Sequence, residues 1–167
     1  FAAPPCVLDA LHQRVDHGVF GYGSPPMSLA GAITEALERD HGWAIDPDWL
    51  VWLPGLVSGL NVVCRAIGEP GDQVLTAVPV YPPFLSAPRY SQRRVTTVDL
   101  RCAESRWVWD FGRLERAVTP GSRLLMLCNP HNPVGRAFSR DELTSIAQIA
   151  ERHDLVICSD EIHCGLV

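Results

Sequence analysis

The sequence contains no lysine, since all 14 of its Lys and Arg residues are arginines. It also has no apolar run of the length that crosses a membrane. Arg93 and Arg94 are the only adjacent arginines, and the net charge is −5, so no basic face for a nucleic acid or an anionic membrane is indicated. We therefore expect neither nucleic acid nor a membrane as a partner.

The six cysteines show no CxxC pair and no regular spacing. A chain of 167 residues, 47% hydrophobic and 20% charged, can bury a core without disulfide cross-links. Reduced thiols in a cytoplasmic, globular protein are the simpler expectation. The segment 153–164 also contains acidic, histidine and cysteine side chains, but their spacing fits no zinc site, and we predict no metal.

Apolar runs alternate with helical patterns along the chain. The predicted strands are 73–78, 94–100, 124–128 and 155–158, and the predicted helices are 3–17, 29–41, 56–67, 83–91 and 111–118. Ser139 and Glu142 form a capping box that begins one more helix. Apolar strands separated by helices predict an α/β fold with a mostly parallel sheet and helices on both faces.

Aromatic, amide and acidic residues follow three of these strands. Tyr81 comes after the strand that ends at Val78, Asn132 after the one that ends at Cys128, and Asp160 after the last. Each has an ordinary interpretation as part of a turn or a solvated corner. Ligands of parallel sheets, however, gather at the carboxyl ends of strands, and together the three groups suit a flat, partly cationic aromatic ring.

Two motifs carry a resemblance to a known family. Asn132-Pro133-Val134-Gly135, followed by Asp160-Glu161-Ile162-His163, resembles the class I/II aminotransferase superfamily, the fold-type I enzymes that use pyridoxal 5'-phosphate (PLP). With the segment Pro-Val-Tyr-Pro-Pro-Phe at 79–84, the pattern is similar to the MalY/PatB branch of carbon–sulfur β-lyases. The resemblance covers essentially the whole chain and implies part of the PLP-binding large domain of that fold.

The resemblance assigns roles around the cofactor ring. It implies that Asp160 pairs with the pyridine nitrogen and that Asn132 donates to the phenolic oxygen. His163 takes a position where many relatives have a tyrosine for the same oxygen, and Tyr81 stacks on the ring face. It also implies cis peptide bonds before two prolines, Pro79 and Pro133.

The phosphate of the cofactor is expected at a turn that leads into a helix. Gly55, Leu56 and Val57 align with the phosphate-contacting positions of the family, and free amides at a helix N-terminus bind anions. The side chains of Leu56 and Val57 have no hydroxyl group, so only their backbone amides can bind the phosphate. Taken alone, this segment is an ordinary helix start.

The resemblance further implies a homodimer. Tyr22 lies between two glycines, at a position whose hydroxyl crosses the dimer interface to the phosphate bound by the other subunit. We accordingly expect residues 1–27 to form an N-terminal helix and a dimer-facing loop, and residues 28–167 to form the N-terminal part of the large domain.

The family lysine that forms a Schiff base with PLP lies beyond the segment 160–163, in a region that this chain does not include. The small C-terminal domain, with the arginine that binds the substrate carboxylate, lies further still. The expectation is therefore an N-terminal fragment that contains no catalytic residue and is inactive by itself.

For the intact protein, the resemblance favours α,β-elimination of L-cystathionine or another cysteine S-conjugate to a thiol, pyruvate and ammonia. A first alternative is an aminotransferase that acts on an amino acid through the same site. A second is a non-catalytic module with the PLP fold that serves in regulation or protein interaction. The residues present here do not separate the three.

Overall fold

The computed structural model describes residues 2–167, which form two compact units divided between Trp52 and Leu53. The first unit contains helices α1 (Pro5–His17) and α2 (Met27–His41) and a short 3-10 helix (Pro47–Trp49). Both α-helices end at a glycine in the left-handed conformation, Gly18 with φ 71° and Gly42 with φ 63°. The domain boundary expected after residue 27 stays a prediction.

The second unit is built on six strands. They are β1 (Gln73–Val78), β2 (Arg94–Asp99), β3 (Arg101–Ala103), β4 (Arg106–Val108), β5 (Ser122–Cys128) and β6 (Val156–Asp160). Four of them form one sheet in the order β2, β1, β5, β6, and all three pairings are parallel. The parallel sheet predicted from the apolar runs is confirmed.

Four helices accompany the sheet: α3 (Leu56–Ala66), α4 (Pro83–Tyr90), α5 (Phe111–Ala117) and α6 (Arg140–Arg152). Successive side chains of a strand point to opposite faces. On one face, Val74, Leu124 and Met126 pack with residues of α3 and α4. On the other, Leu75, Leu125 and Leu127 pack with residues of α5 and α6. Each face of the sheet thus has its own apolar core, as the α/β prediction requires.

The helix starts follow ordinary capping chemistry. In α6, the Ser139 hydroxyl accepts from the Glu142 N–H, and the Glu142 carboxylate accepts from the Ser139 N–H, so the predicted capping box is confirmed. In α5, the Asp110 carboxylate accepts from the Arg113 N–H. No helix within residues 2–167 is both long and apolar enough to cross a membrane.

Strands β3 and β4 form an antiparallel hairpin that the sequence did not predict. Its turn is made by Glu104 and Ser105, both with positive φ. Hairpin turns of this kind favour asparagine and glycine, and neither residue occurs at this turn. A short 3-10 helix, Cys164–Leu166, ends the described chain.

Candidate functional site

The order of the strands places a crevice between β1 and β5. The chain passes from β1 to β2 on one side, and β5 then pairs with the other side of β1. After β1 the chain enters α4, which packs on one face of the sheet, whereas β5 leads to α6 on the opposite face. Where two connections leave a parallel sheet in opposite directions, a ligand-binding crevice opens at the carboxyl edge.

A pocket of about 350 Å³ lies at this edge. Six of the eight residues expected to bind the cofactor line it: Leu56, Val57, Tyr81, Asn132, Asp160 and His163. They come from the start of α3, the loops after β1 and β5, and the end of β6, so the fold gathers residues that are distant in the sequence. Gly55 immediately precedes α3 as its N-cap residue.

Three further residues line the same pocket: Leu60, Cys128 and Ile162. Leu60 lies one helical turn after Leu56, and Ile162 lies between the predicted Asp160 and His163. Helical spacing could have identified Leu60. The sequence context of Cys128 does not identify it as a pocket residue, because nothing there distinguishes a strand residue at a pocket from one in the core.

Asp160 is a buried carboxylate at the end of β6. It is 4% exposed, and its Oδ1 accepts from the Ile162 N–H at 3.1 Å. The register pairs it with Cys128, the last residue of β5. Within residues 2–167, no arginine or histidine lies within ion-pair distance of this carboxylate. A buried carboxylate that faces a pocket without a cationic partner is suited to a ligand that brings a cation or an N–H donor.

The N-terminus of α3 also lies at the pocket. Helix α3 runs into β1 in sequence, and its first residues, Leu56 and Val57, line the cavity. Gly55 supplies no side-chain cap, so the first amides of the helix have no capping acceptor. The unpaired N–H groups and the helix dipole together favour an anion at this end.

Several contacts hold the loop that carries Asn132. The Asn132 N–H donates to Cys128 Sγ at 3.4 Å, and the Asn129 side-chain oxygen accepts from the Phe138 N–H at 2.9 Å. Burial raises the pKa of the Cys128 thiol; the Asn132 N–H opposes this rise and the Asp160 charge adds to it. Cys128 therefore stays a neutral thiol beside the pocket at neutral pH.

An ion pair lies at the C-terminal end of this loop. Arg136 and Glu142 lie 2.5 Å apart with side chains 12% and 16% exposed. Burial works to raise the pKa of Glu142, but the Ser139 N–H and the Arg136 guanidinium together hold it below its ordinary value. The pair links the end of the loop to the first turn of α6.

The peptide bonds before Pro79 and Pro133 are cis, as the resemblance implied, and so is the bond before Pro130. Tyr81 is 39% exposed, and its carbonyl accepts from the Phe84 N–H in the turn that begins α4. His163 precedes the last 3-10 helix and also borders a neighbouring cavity of about 380 Å³, which Asn132 lines as well.

Tyr22 belongs to the first unit, in the segment between α1 and α2, and its side chain is exposed. Its expected reach to the phosphate of another subunit stays a prediction. None of the six cysteines is paired, and no group of three or more potential metal ligands occurs within residues 2–167.

Comparison with known proteins identifies the family. The model of the family described as aminotransferase class I and II matches residues 1–167. This chain belongs to the class I and II aminotransferase family. Cystathionine beta-lyase PatB of Bacillus subtilis is 36% identical over an alignment of 168 positions, which covers all of this chain and 43% of PatB.

Solved structures of the family superimpose closely. The crystal structure of OvoB is 46% identical with a TM-score of 0.94, over 98% of this chain and 43% of OvoB. The PLP-bound C-S lyase of Staphylococcus hominis is 30% identical with a TM-score of 0.93, over 98% of this chain and 42% of that enzyme. The chain thus spans less than half the length of each of these relatives.

Proposed function

We propose that the complete protein is a PLP-dependent carbon–sulfur β-lyase. It would convert L-cystathionine or another S-conjugate of L-cysteine to a thiol, pyruvate and ammonia. The names of the relatives support this reaction, since PatB is a cystathionine beta-lyase and the S. hominis enzyme is a C-S lyase. The amino-acid substrate is consistent with the family as a whole.

The observation that carries the proposal is the environment of Asp160. Its carboxylate is buried, lines the pocket and has no cationic partner among residues 2–167. A pyridine nitrogen that carries a proton is both a donor and a cation, so it would supply what the carboxylate lacks. Asp160 would in turn keep that nitrogen protonated.

The other lining residues fit the rest of the cofactor. The uncapped amides of Leu56 and Val57, with the turn at Gly55, would bind the phosphate through the backbone. The Asn132 amide and the His163 ring would hydrogen-bond the phenolic oxygen, and the Tyr81 ring would cover one face of the cofactor. These residues therefore fit PLP in charge and in hydrogen-bonding groups.

When bound, PLP supplies an electron sink for the charge left when the substrate loses its α-proton. The residues of this chain would bind and orient the cofactor. Asp160 would hold a proton at the ring nitrogen, Asn132 and Tyr81 would orient the ring, and the side chains of Leu56, Leu60 and Ile162 would give it an apolar border.

We also propose a homodimer in which Tyr22 reaches the phosphate site of the other subunit, and a cytoplasmic location. The exposure of the Tyr22 side chain supports the first proposal. Six unpaired cysteines support the second, because free thiols persist in reducing compartments.

An aminotransferase is the second candidate, favoured by the family description itself. It would need Asp160, Asn132 and Tyr81 for the same tasks, so these residues do not decide between the two reactions. The difference lies in the fate of the substrate carbanion, which is reprotonated in transamination and expels a thiolate in elimination.

An assay of the complete protein distinguishes the lyase from the aminotransferase. Purified protein is loaded with PLP and given L-cystathionine without a keto-acid acceptor, and pyruvate is followed with a coupled dehydrogenase. We expect pyruvate and thiol to appear in equal amounts. Turnover that requires a keto acid would identify the aminotransferase, and absence of PLP binding would identify the non-catalytic module.

A further inference from the structure

His131 is a buried histidine between the two loops that border the crevice. It is 2% exposed, and its ring lies edge-on to Phe138 with ring centres 5.6 Å apart. Nδ1 lies 3.0 Å from the carbonyl oxygen of Cys128, in its own loop. Nε2 lies 2.7 Å from the carbonyl oxygen of Pro79, in the loop after β1. Its side chain therefore links the end of β5 to the loop after β1.

This bridge joins segments that the fold otherwise separates. The loop 79–82 turns towards α4 and the loop 129–135 towards α6, on opposite faces of the sheet. Among residues 2–167, the contact of His131 with Pro79 is the one hydrogen bond between these two loops. This hydrogen bond is therefore one of the contacts that hold the two loops at their observed separation.

The two loops carry the groups that would hold the cofactor ring. Tyr81 lies two residues after Pro79, and Asn132 directly follows His131. A shift of one loop would change the distance between the aromatic ring that covers the cofactor and the amide that binds its edge. Displacements of about 1 Å in such an arrangement lower rates substantially.

We propose that His131 is a positioning residue that fixes the spacing between Tyr81 and Asn132 through its Nε2 contact with the Pro79 carbonyl. The proposal rests on the proposed PLP site, although the bridge itself belongs to the protein without cofactor. A neutral imidazole carries one N–H and donates to one carbonyl, whereas the protonated ring donates to both. The proposal requires that Nε2 carry a proton.

Two amide variants of the complete protein separate the two contacts. The amide nitrogen of glutamine reaches as far as Nε2, and that of asparagine only as far as Nδ1. His131→Gln can therefore keep the bond to Pro79, while His131→Asn keeps only the local bond to Cys128. Both remove the ring, so each serves as the control for the loss of ring packing in the other.

The first readout is cofactor affinity, titrated by absorbance. We expect His131→Asn to raise the Kd for PLP by up to about tenfold, because the two loosened loops must then be ordered when the cofactor binds, and His131→Gln to stay within about threefold of wild type. The second readout needs no cofactor: amide hydrogen exchange of the apo-protein. Segments 80–82 and 129–135 should exchange faster in His131→Asn than in His131→Gln.

Equal behaviour of the two variants in both readouts would overturn the proposal, because it would mean that His131 only fills space. If His131→Asn does not fold, the wild-type protein still provides a test. The nitrogen-15 NMR spectrum of the ring should show a slowly exchanging proton on Nε2, and a bare Nε2 would refute the bridge. A wild-type protein that binds no PLP would refute the proposed function, while the exchange and NMR results would still decide the role of His131.

Discussion

Replacement of Asp160 by asparagine should separate stability from ligand binding. The buried carboxylate accepts one hydrogen bond, from the Ile162 N–H, and has no cationic partner among residues 2–167. A hydrogen bond to a charged group contributes about 1.5–3 kcal/mol, whereas taking a carboxylate out of water costs several kcal/mol. Asparagine keeps the acceptor and removes the charge.

For the apo-protein, we therefore expect Asp160→Asn to leave the free energy of unfolding unchanged or to raise it by up to about 2 kcal/mol. For the cofactor, the variant loses the partner of the ring nitrogen, and the Kd for PLP should rise by about 10- to 100-fold, or roughly 1.4 to 2.7 kcal/mol. Weaker PLP binding without a loss of stability is a combination that ordinary damage to a fold does not produce.

The measurements are urea unfolding of the apo-protein and absorbance titration with PLP, both on the complete protein. Glu161→Gln is the matched control, because it removes the same charge from an exposed neighbour whose carboxylate accepts from the Ser159 hydroxyl. Glu161→Gln should change neither the free energy of unfolding nor the Kd for PLP appreciably. An Asp160→Asn protein that is less stable by more than about 1 kcal/mol and binds PLP normally would refute the reasoning.

Other substitutions test the scaffold around the site. Leu125→Ala, at a fully buried position of β5, should lower the free energy of unfolding by about 2–5 kcal/mol in a urea titration, and a smaller loss would mean that the core is looser than described. Gly68→Ala should lower the free energy of unfolding more than Gly71→Ala does. Both glycines have positive φ, but a Cβ at position 68 would lie 2.8 Å from Asp72 Oδ2, whereas a Cβ at position 71 would meet no atom within 4 Å. Equal melting temperatures of these two variants would contradict this. Burial raises the pKa of the Cys64 thiol to about 11. A thiolate-selective reagent at pH 8 should therefore label the exposed Cys102 first, and it should label Cys64 only when the protein unfolds or the pH approaches 11. Labelling is followed by mass spectrometry, and early labelling of Cys64 would contradict this expectation.

The parallel sheet and most of the pocket were predictable because their signals are local. Apolar residues fill four of the six positions of β1 and five of the seven positions of β5, which is typical of strands covered on both faces. The start of α6 followed from a capping box. Tyr81, Asn132 and Asp160 each follow or end a strand, and in a parallel sheet those ends meet at one edge.

The remaining features depend on tertiary contacts that leave no local pattern. The β3–β4 hairpin was not predicted because its turn at Glu104 and Ser105 lacks the usual residues. His131 follows Pro130 in the loop after β5, and nothing in its sequence context distinguishes it from an ordinary loop residue. Its burial and its bond to Pro79 arise only when β1 and β5 become neighbours, and the sequence alone does not show that adjacency.

The strand order also governs how the protein is assembled during synthesis. Strand β1 is central, yet one of its two neighbours, β5, is translated only after β2, the β3 and β4 hairpin and α5. Until then the newly made polypeptide exposes an apolar strand with an open edge, which is a template for self-association. Folding on the ribosome must therefore wait for β5, and expression in a host with abundant chaperones should increase the yield.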